Sequence, residues 1–298
     1  VLIFKKLFLI YNIMRKIKDW KGFLFEYVNI NELRYNIFDW DDNLLNMETP
    51  LHFQHFEDGK WVNKDITPQE FAQIRKKYPT DYMDNSEWKG DSNYSFIEFR
   101  DYGPRGENAF IEDVKNTIKH KKFGPSWDIF LNTIKEGRLF AIVTTRGHEP
   151  KTIKDAVRYI IYDVMTSEDR IEMEKNLKNF NHIFNVQTDN LIEQYLNECY
   201  FIGMFSQAFK DEFHYLPIGT KLNQGKQDAI NKFVNFVRDF AKRTNKPLKV
   251  GFSDDDVNFS QAAKELFMKM EKSLDFDENF YVFDTSDPKL KGGVKVKI

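Results

Sequence analysis

The chain has 298 residues, 41% of them hydrophobic and 30% charged, with 29 Phe and 13 Tyr, which is enough for one large α/β domain carrying an inserted unit. A formal net charge of −2 excludes a global basic field directed at nucleic acid. The single cysteine, Cys199, excludes an internal disulfide framework and a cysteine-rich metal site, and it fits a reducing, cytoplasmic setting.

Val1 to Ile10 is apolar but interrupted by Lys5 and Lys6. It is too short to span a bilayer and is expected to form a buried strand or helix, with a membrane-surface anchor as the lesser reading. Residues 1–29 are assigned to an N-terminal extension, within which Met14 is a second candidate start, and residues 30–298 to the α/β core. No stretch approaches a transmembrane length. The first core strand is the apolar run Tyr35 to Phe38. Residues 46–125 then read as a flap and cap-like insertion. Within it, Thr49 to Phe56 and Lys60 to Ile66 predict a hairpin turning at Asp58-Gly59. Thr67-Pro68-Gln69-Glu70 predicts a helix start, with Thr67 as cap and Glu70 closing a capping box. A short strand is expected near Tyr94 to Phe99.

Trp127 to Lys135 reads as a helix stopped by Gly137, followed by a second strand, Leu139 to Val143. Residues 151–210 are charged and helical, with a new helix start at Thr166-Ser167-Glu168-Asp169. Phe213 to Ile218 is read as the third strand, Leu248 to Phe252 as the fourth and Phe280 to Phe283 as the fifth, with helices at Gln227 to Arg243 and Phe259 to Leu274. Strands alternating with helices predict a doubly wound, Rossmann-like α/β fold: a parallel sheet with helices on both faces.

In such sheets ligands sit beyond the carboxyl ends of the strands, so the residues following each strand carry the information. Asp39-Trp40-Asp41-Asp42-Asn43 follows the first strand. Thr144-Thr145-Arg146-Gly147-His148 follows the second, and Ser253-Asp254-Asp255-Asp256 follows the fourth. Lys226 lies between the third and fourth strands at a helix start. Three carboxylates within four residues repel one another unless a cation or a proton-transfer task offsets the cost. Carboxylates, a hydroxyl and a lysine converging on one edge match metal-assisted phosphoryl transfer through an aspartyl-phosphate.

In these motifs, and in their order, the chain resembles the haloacid dehalogenase (HAD) superfamily, whose members are mostly Mg²⁺-dependent phosphatases. The resemblance spans Tyr35 to Asn258. It implies a HAD-type core in which Asp39 is the nucleophile, Asp41 the general acid/base, and Thr144 and Lys226 the phosphate-binding pair. Mg²⁺ is the implied cofactor, held by Asp39, by the backbone carbonyl of Asp41, and by Asp254 or Asp255, with Asp256 as a substitute. Asn43 stands where the family usually carries Thr. It is expected to support the active-site turn and, with Thr145 and Arg146, to lie against the substrate.

Other readings compete with these. Asp39 to Asn43 also suits a calcium loop, although no closing Glu with EF-hand spacing follows. Lys221 rivals Lys226 as the phosphate-binding lysine. Lys119-His120-Lys121-Lys122 reads as a solvated helix end, with phosphate-backbone contact as the minority alternative. The function expected is hydrolysis of a small phosphorylated substrate, with a nucleotide or nucleic-acid end as the alternative substrate. A non-catalytic HAD-like binding protein is the alternative of another class.

Overall fold

The computed structural model describes residues 32–74, 80–84, 94–106, 108–184, 190–271 and 277–298. The N-terminal extension therefore lies outside the described residues. The core is a six-stranded, mostly parallel sheet. Its strands are β1 (Leu33–Phe38), β5 (Phe140–Thr144), β6 (Tyr200–Gly203), β7 (Leu248–Asp254), β8 (Glu278–Asp284) and β9 (Val294–Lys297). The spatial order is β6-β5-β1-β7-β8-β9, and only β9 runs antiparallel to its neighbour. From β1 the chain builds outward through β5 and β6 on one side, then returns to build β7 and β8 on the other. The β1/β7 boundary is thus the point where the order reverses, and the crevice beyond it is where an α/β sheet binds ligands.

Alternation along β1 assigns the two faces. Tyr35 meets Phe233 and Phe240 edge-on, both on α8 (Leu222–Thr244). On the opposite face, Phe38 packs against Phe130, and Asn36 Nδ2 donates to Thr133 Oγ1 at 2.9 Å; both partners lie on α3 (Trp127–Lys135). Helices therefore cover both faces, which explains why β5 is buried at all five positions. Helix α9 (Val257–Glu271) packs on β7 and β8.

The segment after β1 forms a separate three-stranded sheet from β2 (Leu51–Glu57), β3 (Lys60–Ile66) and β4 (Tyr82–Asp84). The hairpin turns at Asp58 and Gly59 with φ of +50° and +79°, the pair of left-handed residues that a tight hairpin demands. Helix α1 (Pro68–Ile74) starts with a reciprocal cap: Glu70 N donates to Thr67 Oγ1 at 3.2 Å, and Thr67 N donates to Glu70 Oε2 at 2.7 Å. Leu51, Phe53, Ile66 and Tyr82 form a small core of this flap, packed by Phe71, Ile74, Phe96 and Phe99. Helix α2 (Ala109–Lys119) then leads to α3.

Two expected strands lie elsewhere. The third core strand is Tyr200–Gly203, whereas Phe213 ends helix α7 (Gln207–Phe213) and residues 214–218 are loop. Tyr94–Phe99 is a kinked 3₁₀ segment packed beneath β2, because its rings fill the flap core rather than alternating across a pleat. The stretch 151–210 contains α4 (Pro150–Tyr159), α5 (Ser167–Phe184) and α6 (Leu191–Glu198), and also β6 of the core sheet. Among the described residues, no helix is long and apolar enough to cross a membrane.

Candidate active site at the sheet's switch point

Asp39 leaves β1 at the switch point, and its N–H bonds the Ser253 carbonyl of neighbouring β7 at 3.0 Å. The chain then turns sharply, with Asp42 at φ +52°. Asp can occupy this left-handed region because its short polar side chain bonds locally. Across the crevice, β7 ends at Asp254, and Asp256 accepts from Asn258 N at 2.9 Å, capping α9. Asp39, Asp254 and Asp255 each offer a carboxylate oxygen, and these lie within 4.8 Å of one another. Asp256 is committed to its helix cap, and the Asp41 side chain stands outside the cluster. The Asp41 carbonyl accepts Asn43 N at 2.6 Å.

Lys226 enters this cluster from the second turn of α8. Its side chain is fully buried, with Nζ 2.6 Å from Asp39 Oδ1 and 2.9 Å from Asp254 Oδ2. Both contacts are buried ion pairs, so one ammonium bridges the ends of β1 and β7. The lysine stem passes Phe259, whose ring centroid is 4.8 Å from Nζ. Lys221 is exposed and stands 5.7 Å from the Tyr215 ring, so Lys226 is the lysine at the carboxylates.

The electrostatics follow from three carboxylates sharing one ammonium. Burial alone would lower the Lys226 ammonium, but Asp254 and Asp39 outweigh it and hold it charged, above the usual lysine range. Among the described residues no cation contacts Asp255. Burial, then the charges of Asp254 and Asp39, push its carboxyl well above the usual range. Burial also raises Asp39 and Asp254, against the pull of Lys226 on both. Asp42 is lifted to about 6 by burial and by the Asp41 charge, while a hydrogen bond from Gln69 at 3.3 Å pulls the other way. That contact joins the first turn of α1 in the flap to the Asp39–Asn43 turn.

Asn43 is fully buried and its amide is consumed within the scaffold. Nδ2 donates to the carbonyls of Asp39 (3.0 Å) and Ser253 (3.1 Å) and to Ser253 Oγ (3.0 Å), and Oδ1 accepts from Thr285 Oγ1 at 2.9 Å. One side chain thereby ties together the ends of β1, β7 and β8. With its donors spent on the scaffold, Asn43 braces the turn rather than offering itself to substrate.

The other expected site residues follow β5. Thr144 is buried at the strand end, its Oγ1 accepting from Arg146 N at 3.3 Å, while Thr145 is half-buried. Arg146, expected to contact substrate, is completely buried. Its Nε and Nη2 donate to the two carboxylate oxygens of Asp41 at 2.8 and 2.7 Å, and Nη2 also reaches Thr49 Oγ1 at 3.0 Å. The loop that carries it is pinned against β6 by close backbone approach. A Cβ at Gly203 would sit 2.4 Å from the His148 carbonyl oxygen and 2.7 Å from that of Arg146, so only glycine fits there. His148 is buried with Nδ1 2.9 Å from Asp101 Oδ1, and burial lowers its pKa despite that partner.

Of the partners that complete the site, Ser253 stands in the run after the fourth strand and Gln69 in the capping motif, neither marked for its role, while Thr49, Thr285 and Asp101 belong to no motif that singles them out. For Thr285 a weak signal exists, a hydroxyl just past the fifth strand; for Thr49 and Asp101 the sequence offers none. No protein-family model matches the chain, and no curated protein or solved structure matches it.

Proposed function

We propose that the protein is a Mg²⁺-dependent phosphohydrolase that works through an aspartyl-phosphate on Asp39. The observation that carries this reading is the grouping of Asp39, Asp254 and Asp255 within 4.8 Å, with Lys226 between two of them, at the sheet's switch point. The donor set is all carboxylate oxygen, which suits a hard divalent cation. Bound by these three carboxylates, Mg²⁺ would offset the repulsion between Asp39 and an incoming phosphate dianion.

The remaining steps belong to the chain's own residues. Asp39 attacks phosphorus as the bond to the leaving oxygen breaks. Asp41 supplies the proton that the leaving oxygen takes up, and later receives one from the water that hydrolyses the acyl phosphate. Lys226 holds the charge of Asp39 before attack and stands beside the phosphoryl group as charge develops. Thr144 lies at the neighbouring strand end on the same edge of the sheet. The flap is tied to the active-site turn by the Gln69–Asp42 hydrogen bond, from where it would close over a bound substrate.

Release of inorganic phosphate from a panel of phosphate monoesters, with Mg²⁺ and with chelator, tests this reading. Mg²⁺-dependent release by wild type that disappears in Asp39→Asn supports it; no Mg²⁺-dependent release on any monoester refutes it. A second reading, a metal-holding protein without turnover, draws on Arg146 occupying both oxygens of Asp41. Metal binding measured by calorimetry without phosphate release would favour that reading.

A further inference from the structure

Arg146 has been placed under the flap at high cost, and its surroundings indicate why. An enclosed guanidinium needs every donor matched and a countercharge in contact. Asp41 takes two of its donors in a fork, Thr49 takes a further bond, and Nη1 faces His148 Nε2 at 3.4 Å. The flat faces of the group are covered: its central carbon lies 4.1 Å from the Phe99 ring centroid and 5.1 Å from that of Phe110. The supports are themselves fixed. Thr49 Oγ1 donates to Asp113 Oδ2 at 2.7 Å, and Asp113 is forked by Arg105, which also bonds the buried Glu98 at 2.9 Å. Gly147 N bonds the Phe99 carbonyl at 2.8 Å, fastening the arginine's loop to the flap. Arg146 is wholly enclosed, whereas the Asp41 side chain keeps 16% of its surface exposed.

We propose that Arg146 is a positioning residue: it fixes the carboxylate of Asp41 for proton transfer and makes no contact with substrate. The inference rests on the phosphohydrolase reading. Asp41 alone exchanges protons, giving one to the leaving oxygen as the P–O bond breaks and taking one from water when the acyl phosphate is hydrolysed. Arg146 sets where that carboxylate stands. Lysine cannot replace it, because a single ammonium lacks the planar fork that engages both oxygens.

The experiment compares the first-turnover rate of leaving-group release, and KM, of wild type, Arg146→Lys and Asp41→Asn on two monoesters with Mg²⁺; the first turnover isolates transfer to Asp39 from the later hydrolysis, which needs Asp41 whatever the ester. One is a nitrophenyl phosphate, whose leaving group departs without a proton; the other is an alkyl phosphate, whose leaving group requires one. The expected result for Arg146→Lys is a first-turnover rate on the alkyl phosphate reduced by about 100-fold, the lower end of what a proton-transfer group contributes, with a much smaller loss on the nitrophenyl ester and KM little changed. Asp41→Asn should show the same asymmetry. Equal first-turnover losses on both substrates overturn the proposal, as does a raised KM at an unchanged first-turnover rate, which would mark a substrate ligand. Absence of Mg²⁺-dependent turnover by wild type overturns the function itself, and this inference with it. Should Arg146→Lys fail to fold, Thr49→Val, which loosens the guanidinium from one side, carries the same comparison: a smaller loss confined to the alkyl phosphate supports the proposal, and a loss equal on both esters overturns it.

Discussion

Replacing Lys226 with Met keeps an unbranched side chain of similar length and removes the cation that touches Asp39 and Asp254. In the folded protein Lys226 and Asp254 have almost no exposed surface, and Asp39 little more. Breaking a buried ion pair by deleting one partner costs about 3–5 kcal/mol, because the remaining charge has neither water nor a countercharge. Here two carboxylates lose their contact at once, at 2.6 and 2.9 Å, so the upper half of that range is expected in metal-free buffer. Against a typical total of about 5–15 kcal/mol, that loss is large enough to shift a urea midpoint unmistakably. Two further signs follow. Mg²⁺ should stabilise Lys226→Met more than wild type, since no ammonium repels the incoming cation. The destabilisation relative to wild type should also be smaller at pH 5 than at pH 8. Carboxyls with raised pKa values favour the folded state when protonated, and that contribution is lost as pH rises above the unfolded value of about 4. Equilibrium urea unfolding of both proteins, with and without Mg²⁺ at the two pH values, measures all three. A metal-free loss below about 1 kcal/mol would refute the reasoning, since that is the size expected of an exposed pair.

Other consequences can be checked alongside. Asn43→Ala strips buried partners from Ser253 and Thr285, and thermal unfolding should show a loss of about 3 kcal/mol, the scale of unpaired buried hydrogen-bonding groups. Asp42→Asn keeps the left-handed backbone and the acceptor for Gln69 while removing a carboxyl whose pKa is raised to about 6. A raised folded pKa means that this group's contribution is lost as pH rises from about 4 to about 6. The variant should therefore be more stable than wild type at pH 7, with the gain vanishing towards pH 4 in a metal-free pH series of melts. Asp255→Asn should weaken Mg²⁺ binding in calorimetry by at least about tenfold, a shift of about 1.4 kcal/mol. Asp256→Ala should leave Mg²⁺ binding nearly intact and instead cost about 1 kcal/mol of stability, as the loss of a helix cap does.

The parts of this molecule readable from sequence are those fixed by local periodicity and punctuation. Buried parallel strands read as apolar runs, which is why β1, β5, β7 and β8 stand where such runs occur. The hairpin at Asp58-Gly59 and the Thr67 to Glu70 cap are local chemistry and are legible for that reason. Strand β6 has only four residues and follows directly on a helix, so Tyr200–Gly203 offers too little pattern to outweigh the apolar residues around Phe213. Tyr94–Phe99 carries strand-like aromatics, but tertiary packing beneath β2 sets its conformation. At the candidate site, Asp39, Asp254 and Asp255 are legible because they stand at strand ends and Lys226 because it sits early in the helix before the fourth strand, so their positions in the α/β order mark them although Asp39 and Lys226 stand 187 residues apart. The partnerships of Arg146 and Asn43 have no such trace. Arg146 meets Asp41 across 105 residues and Asn43 meets Thr285 across 242, and nothing local marks either pair. An arginine after a strand reads as a ligand for phosphate until the carboxylate that occupies it is seen.

The most direct measurement is mass spectrometry of the acid-quenched enzyme during turnover of a phosphate monoester with Mg²⁺. A phosphoryl group on the peptide containing Asp39, absent from Asp39→Asn and accumulating in Asp41→Asn on a nitrophenyl ester, is the expected result. Phosphate release by wild type that proceeds unchanged in Asp39→Asn, with no phosphorylated peptide, would contradict it.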